Sequence, residues 1–168
     1  MKVEQRFLDR CFYEGFFEGR RMEAETLPEP ERTQRLEQIL KDSIKIGWLD
    51  GAQKTAKSLG RELTVQELEK ILKNSVEEGW LYSAKKIAQL LGRELTAQEL
   101  EKILEKCIEE GWLYSAKKIA QLLGRELTAQ ELENILKKCI EEGWLDGARE
   151  TAELLPEPKR TKYLGILE

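Results

Sequence analysis

A glycine followed at once by two large apolar residues recurs every 32 residues along this chain, and that spacing constrains the fold more than any other feature. The set is Gly15-Phe16-Phe17, Gly47-Trp48-Leu49, Gly79-Trp80-Leu81, Gly111-Trp112-Leu113 and Gly143-Trp144-Leu145. A unit of about thirty residues cannot bury an apolar face alone, so units repeated at fixed spacing stack on their neighbours and share a core. Residues 60–91 and 92–123 differ at only five positions. Near-identity of that degree arises by recent duplication or by consensus design.

Residues 92–123 show what each position does. Thr96 and Glu99 have the spacing of a capping box, and Leu95 and Leu100 that of a hydrophobic staple. Leu100, Ile103, Leu104, Cys107 and Ile108 then fall at i, i+3, i+4, i+7 and i+8, one apolar helical stripe. Gly111 is placed to stop this first helix in a left-handed conformation. A second helix follows, with Trp112, Ala116, Ile119, Ala120 and Leu123 on one face, and Gly124 stops it in turn. Applied along the chain, this pattern predicts an all-α, right-handed-type α-solenoid of five antiparallel helix pairs and a C-terminal closing helix. The pairs cover 1–27, 31–59, 64–91, 96–123 and 128–155, and the closing helix 159–168. In the first pair, Phe7, Leu8, Cys11 and Phe12 take the core positions of the first helix. Proline-bracketed junctions, LPEPERT at 27–33 and LPEPKRT at 155–161, replace the central LGRELT type.

With 168 residues, 40% hydrophobic and 36% charged, one continuous repeat domain covering 1–168 is expected. No apolar run approaches the roughly 18 residues that cross a bilayer, and the start, MKVEQRFLDR, lacks the apolar core of a signal peptide. Three cysteines without close spacing read as thiols in a reducing compartment, so a cytoplasmic location is expected. The net charge is −4, and residues 124–155 hold much of the acidity, with eight acidic against four basic side chains. That is not the basic footprint of a phosphate-backbone binder.

The unit resembles the helical hairpins of the tetratricopeptide and pentatricopeptide families. The resemblance rests on a first helix ending in glycine and an alanine five residues later: Gly79 with Ala84, Gly111 with Ala116, Gly143 with Ala148. It also rests on the apolar pairs Ile71-Leu72, Ile103-Leu104 and Ile135-Leu136, eight and seven residues before the glycine. The resemblance implies a solenoid whose groove takes a peptide or, in the pentatricopeptide case, single-stranded RNA. The positions that would read bases, two residues before the apolar pair, are Glu37, Glu69, Glu101 and Glu133. A carboxylate repels phosphate and offers only acceptors, which argues against RNA.

Four features remain as candidate sites. Trp48, Trp80, Trp112 and Trp144 read as core packing against the small residues Ser43, Ser75, Cys107 and Cys139, rather than as stacking platforms. Cys11, Cys107 and Cys139 read as free buried thiols; with no histidine and no close cysteine pair, neither a metal nor a cofactor is expected. Glu77-Glu78, Glu109-Glu110 and Glu141-Glu142 oppose the helix dipole at a cost of a few tenths to about 1 kcal/mol each. A compensating cation is therefore expected, from Lys85, Lys86, Lys117 or Lys118 of a second helix or from a basic partner. Finally, Tyr82, Lys86 and Gln89, and again Tyr114, Lys118 and Gln121, share a helical face by i, i+4, i+7 spacing, where the flanking repeats carry Asp50 and Asp146 in place of tyrosine. These six residues are the expected partner-binding surface of a non-enzymatic scaffold for a protein or peptide. Self-association through the aromatic first repeat (Phe7, Phe12, Tyr13, Phe16, Phe17) is the alternative. No nucleophile–base pair or phosphate-binding loop points to an enzyme.

Overall fold

The structure, a computed structural model, describes residues 15–167. Among them the chain is all-α, with no strand. Helix α1 covers 15–25. It is followed by α2 (Glu31–Lys45), α3 (Leu49–Ser58), α4 (Val65–Glu77), α5 (Leu81–Leu90), α6 (Ala97–Glu109), α7 (Leu113–Leu122), α8 (Ala129–Glu141), α9 (Leu145–Glu153) and α10 (Lys159–Leu164). Helices pack on their sequence neighbours, and the chain divides into two compact units. One comprises Met1–Ser75 and Tyr82–Glu94, the other Val76–Leu81 and Leu95–Glu168.

In the first unit α2 packs on α3, and α1 joins them through a core of Phe17, Ala24, Leu36 and Ile39 capped by Ile46, Trp48 and Leu59. Phe17 and Trp48 meet at 5.7 Å between ring centroids. Arg20 reaches across to Asp42 at 3.2 Å, and its guanidinium lies over both Phe16 and Phe17. Gly15 departs from the register: it lies within the helix 15–25, whereas Gly47 takes φ +72. Glycine permits a left-handed stop but does not impose one. At Gly47 the stop is fixed by a fold-back bond, the Trp48 N–H donating to the Ser43 carbonyl at 2.9 Å, and by Ser75 packing close above.

In the second unit α6 packs on α7, α8 on α9, α6 on α8, and α10 on α9. Leu100, Ile103, Leu104 and Cys107 of α6 face Ala116, Ile119 and Ala120 of α7, all buried, and α8 and α9 repeat the pattern. Each fully buried Ile or Leu contributes about 1.5–3 kcal/mol. The alanines leave room for the close approach. The sequence-predicted caps are present. Thr96 and Thr128 accept from the Glu99 and Glu131 N–H, and the two glutamates reach back to complete capping boxes. At Gly111 and Gly143 the Trp112 and Trp144 N–H groups donate to the Cys107 and Cys139 carbonyls, both at 2.8 Å.

The two proline-bracketed junctions use the reverse device. Glu29 accepts from the Thr33 hydroxyl at 2.7 Å and its N–H at 3.3 Å, and Glu157 does the same for Thr161. A carboxylate ahead of the helix thus does the capping that threonine does elsewhere. Helix α10 ends at Leu164, with Gly165 as its C-cap, four residues short of the expected end at 168; glycine weakens a helix by about 1 kcal/mol. Leu167 is buried nonetheless, its carbonyl accepting from Arg149 at 3.0 Å.

Candidate functional site

The six expected surface residues are distributed between the two units. On α5, in the first unit, Tyr82 is 82% exposed and Gln89 is exposed. Lys86 is not free: its Nζ donates to Asp50 Oδ1 of α3 at 2.9 Å. That bond raises the lysine's pKa. On α7, in the second unit, Tyr114 is 80% exposed, and Lys118 and Gln121 are exposed. None of these three has a hydrogen bond or ion pair among the described residues. The structure therefore brings each triplet together on one exposed helix face, and only the α7 triplet is wholly unengaged.

Glu109-Glu110 and Glu142 find internal cations, but not the expected ones. Lys106 of α6 holds Glu110 at 3.1 Å and Glu109 at 3.5 Å, and Lys138 of α8 holds Glu142 at 2.9 Å. The partner is one turn back on the same helix, not a lysine of a second helix. The stems of these two lysines are fixed from outside: they lie across Gly79 and Gly111, where a Cβ would sit 3.0–3.1 Å from the lysine Cγ. The ammonium groups are thus aimed at the last turn and offset the dipole cost. In the first unit Asn74, at the same register position, instead donates to the carbonyls of Ile44 and Lys45 at the end of α2.

Three of the four carboxylates at the base-reading positions, Glu37, Glu101 and Glu133, are also engaged internally. Arg61 binds Glu67 through two bonds of 2.8 and 2.9 Å and approaches Glu37 at 3.8 Å. Arg125 binds Glu131 likewise at 2.9 and 2.8 Å and Glu101 at 3.2 Å. Glu133 accepts from Lys159 and from the Tyr163 hydroxyl. These contacts hold the Glu67 and Glu133 carboxyls down at about 2, chiefly through the Arg61 and Lys159 bonds respectively. Arg61 and Arg125, from the first and third LGRELT junctions, are therefore staples between successive first helices, a role that sequence reasoning missed. The signal was present: an arginine six residues before the capping glutamate and 24 after the earlier one, in register at 61 and 125.

Three of the four tryptophans pack against glycines, in different ways. The Trp112 and Trp144 indoles rest over Gly79 and Gly111, their Cζ3 atoms 3.5 and 3.4 Å from where a Cβ would stand. Trp48 instead lies over Gly51, and Trp80 is 37% exposed. Three of the four residues expected beneath the indoles bridge repeats: Ser75 donates to the Gly47 carbonyl at 3.3 Å, and Cys107 and Cys139 approach the Gly79 and Gly111 carbonyls at 3.9 and 3.5 Å, whereas Ser43 donates to the Ile39 carbonyl of its own helix. Both cysteines are free and buried. Burial pushes the Cys107 thiol up to about 12 and raises Cys139 as well, so neither is a ready nucleophile. Cys11, like Phe7, Leu8, Phe12 and Tyr13, lies outside the described residues.

Of the two first-repeat aromatics among the described residues, Phe17 belongs to the core, and Phe16, beneath Arg20, is exposed. Among the described residues there is no cluster of three or more potential metal ligands. No helix there is long and apolar enough to cross a membrane. No family profile, curated protein or solved structure matches the chain.

Proposed function

We propose that this chain is a non-enzymatic helical-repeat scaffold, its helix pairs stacking as an α-solenoid, that binds a protein or peptide through the exposed faces of its second helices. One observation carries the reading. Tyr114 is 80% exposed and, among the described residues, has no hydrogen-bond or ring partner, on a helix face it shares with Lys118 and Gln121, which form no hydrogen bond or ion pair there either. Tyrosine is among the residue types that dominate binding energy at interfaces, and a repeat array offers such groups at regular intervals. The internally bound carboxylates at 37, 101 and 133 support a protein ligand over RNA. They leave acceptors already occupied where bases would be read.

The test is selection from a displayed random-peptide library on the immobilised chain, followed by titration of recovered peptides. Because both tyrosines are so exposed, Tyr82→Ala with Tyr114→Ala should change stability by no more than about 0.5 kcal/mol. Binding should weaken at least tenfold, equivalent to about 1.4 kcal/mol. Recovered peptides that bind the double variant unchanged would remove the second-helix face from the reading. A band shift with mixed single-stranded RNA at low salt would restore the nucleic-acid alternative.

A further inference from the structure

We propose that the face formed by α7 and α9 is a two-fold interface with a second copy of this chain. The inference rests on the reading of the second-helix faces as binding surfaces, and it names the partner.

The argument starts from register. α7 packs on α6, α9 packs on α8, and α6 packs on α8, so α7 and α9 are equivalent helices of successive repeats and lie in one layer. Residues four apart on a helix stack above one another. On α7 that row is Tyr114, Lys118 and Leu122; on α9 the equivalent row is Asp146, Glu150 and Leu154. All six are exposed, Tyr114 at 80%, Leu122 at 44% and Leu154 at 43%.

The two rows are opposite in charge. Helix α7 carries Lys117 and Lys118 and no carboxylate, a net of +2. Helix α9 carries Asp146, Glu150 and Glu153 against the single Arg149, a net of −2. Arg149 is already committed to the Leu167 carbonyl. Neither lysine of α7 and none of the three carboxylates of α9 forms an ion pair among the described residues. This contrasts with the first unit, where Lys86 and Asp50, at matching positions on α5 and α3, close onto each other. The second unit thus presents two complementary rows on equivalent helices of successive repeats, without ion pairs among the described residues, each ending in an exposed leucine.

A surface of this kind is its own complement. A two-fold axis between α7 and α9 sets the lysines of one copy against the carboxylates of the other, twice over, and brings the tyrosines and leucines together between them. A contact related by such an axis is closed: it gives a dimer and stops. A ligand of one charge would meet like charge on half of this face, whereas a second copy meets opposite charge on both halves.

Sedimentation velocity on the full chain tests this from about 1 μM to about 1 mM, spanning the affinities usual for interfaces of modest size. The expected result is a shift from 19.5 kDa to twice that mass. Dimerisation should weaken at least tenfold as salt rises from about 0.05 to about 0.5 M, since exposed ion pairs are screened. Lys117→Glu with Lys118→Glu gives one variant, and Asp146→Lys with Glu150→Lys gives another. Each alone presents like charges to itself and should remain monomeric. An equimolar mixture should form a heterodimer, because both halves of the face are again complementary. All four positions are exposed, and circular dichroism of each variant checks that it folds.

A wild-type chain that stays at 19.5 kDa throughout the range overturns the proposal. So does a mixture of the two variants that fails to associate. If the wild type is monomeric while library peptides bind at Tyr114, the face serves another protein: the dimer is refuted and the scaffold reading stands. If the dimer forms and no peptide is recovered, the scaffold reading narrows to self-assembly and the proposal stands.

Discussion

Gly51 and Gly147 occupy the same place in two repeats, each within Asp-Gly-Ala at the start of a second helix, and substituting each by alanine should have opposite effects. In a helix, alanine is favoured over glycine by about 0.8–1.0 kcal/mol, less near an end. At Gly147 the added Cβ would lie 3.5 Å from Cys139 Sγ, an ordinary contact. Gly147→Ala should therefore stabilise the chain by about 0.5 kcal/mol. At Gly51 the same Cβ would overlap Cε3 and Cζ3 of Trp48 and stand 2.5 Å from Cδ2. The indole must leave its seat against Phe17. Displacing a well-packed aromatic costs about 2–4 kcal/mol. Part returns as helix propensity and part because Trp48 Nε1, buried without a partner, gains access to water. The net expectation is destabilisation by about 1–3 kcal/mol. Urea denaturation followed by circular dichroism measures both, and tryptophan fluorescence of Gly51→Ala should move to the red as the ring is exposed. A Gly51→Ala chain as stable as the wild type, or a Gly147→Ala chain destabilised as much as Gly51→Ala, would refute the reasoning from local packing.

Three further outcomes are expected. Arg125→Gln removes both bonds to Glu131 and the bridge to Glu101; with its side chain one-third exposed, the loss should be about 0.5–1.5 kcal/mol and smaller at high salt, read from denaturation midpoints at two salt concentrations. Glu67, held at about 2 against an ordinary 4.5, is a group whose folded pKa is depressed. Its contribution is complete above about 4.5 and disappears as pH falls towards 2. Glu67→Gln should flatten the acid limb of the stability–pH curve, and an unchanged limb would count against the Arg61 pairing. Cys107, buried with its thiol near 12, should resist iodoacetamide at about pH 8 in the native chain and react once unfolded; alkylation mapped by mass spectrometry before and after adding guanidinium decides it.

Much of the local structure was legible because it is decided within one helical turn. Thr96 with Glu99, Thr128 with Glu131, and the stops at Gly47, Gly111 and Gly143 rest on short-range bonds that the residue types at those spacings favour. The apolar rows that became the core follow from helical period alone. The same reasoning placed Tyr82 and Tyr114 on exposed faces. It failed where an outcome depends on the next repeat. The cations facing the glutamate pairs were sought on a second helix, and for the pairs at 109–110 and 141–142 the structure supplies Lys106 and Lys138 from the same helix because glycine turns of the preceding repeat hold their stems. Lys86 and Lys118 read identically in sequence, yet Lys86 is bound by Asp50, and Lys118 has no ion pair among the described residues.

The 32-residue period by itself determined that the chain is helical, where its central helices start and stop, and which side chains face inward, since capping and amphipathic periodicity act over a few residues. Tertiary structure alone decided that Gly15 sits within a helix, that Phe17 joins the core, that the Trp48 ring fills the Cβ position of Gly51 while Gly147 has room, and which charges pair among the described residues. Each of these turns on what a neighbouring element places within a few ångströms, and a sequence repeat fixes the register of that neighbour without fixing its side chains.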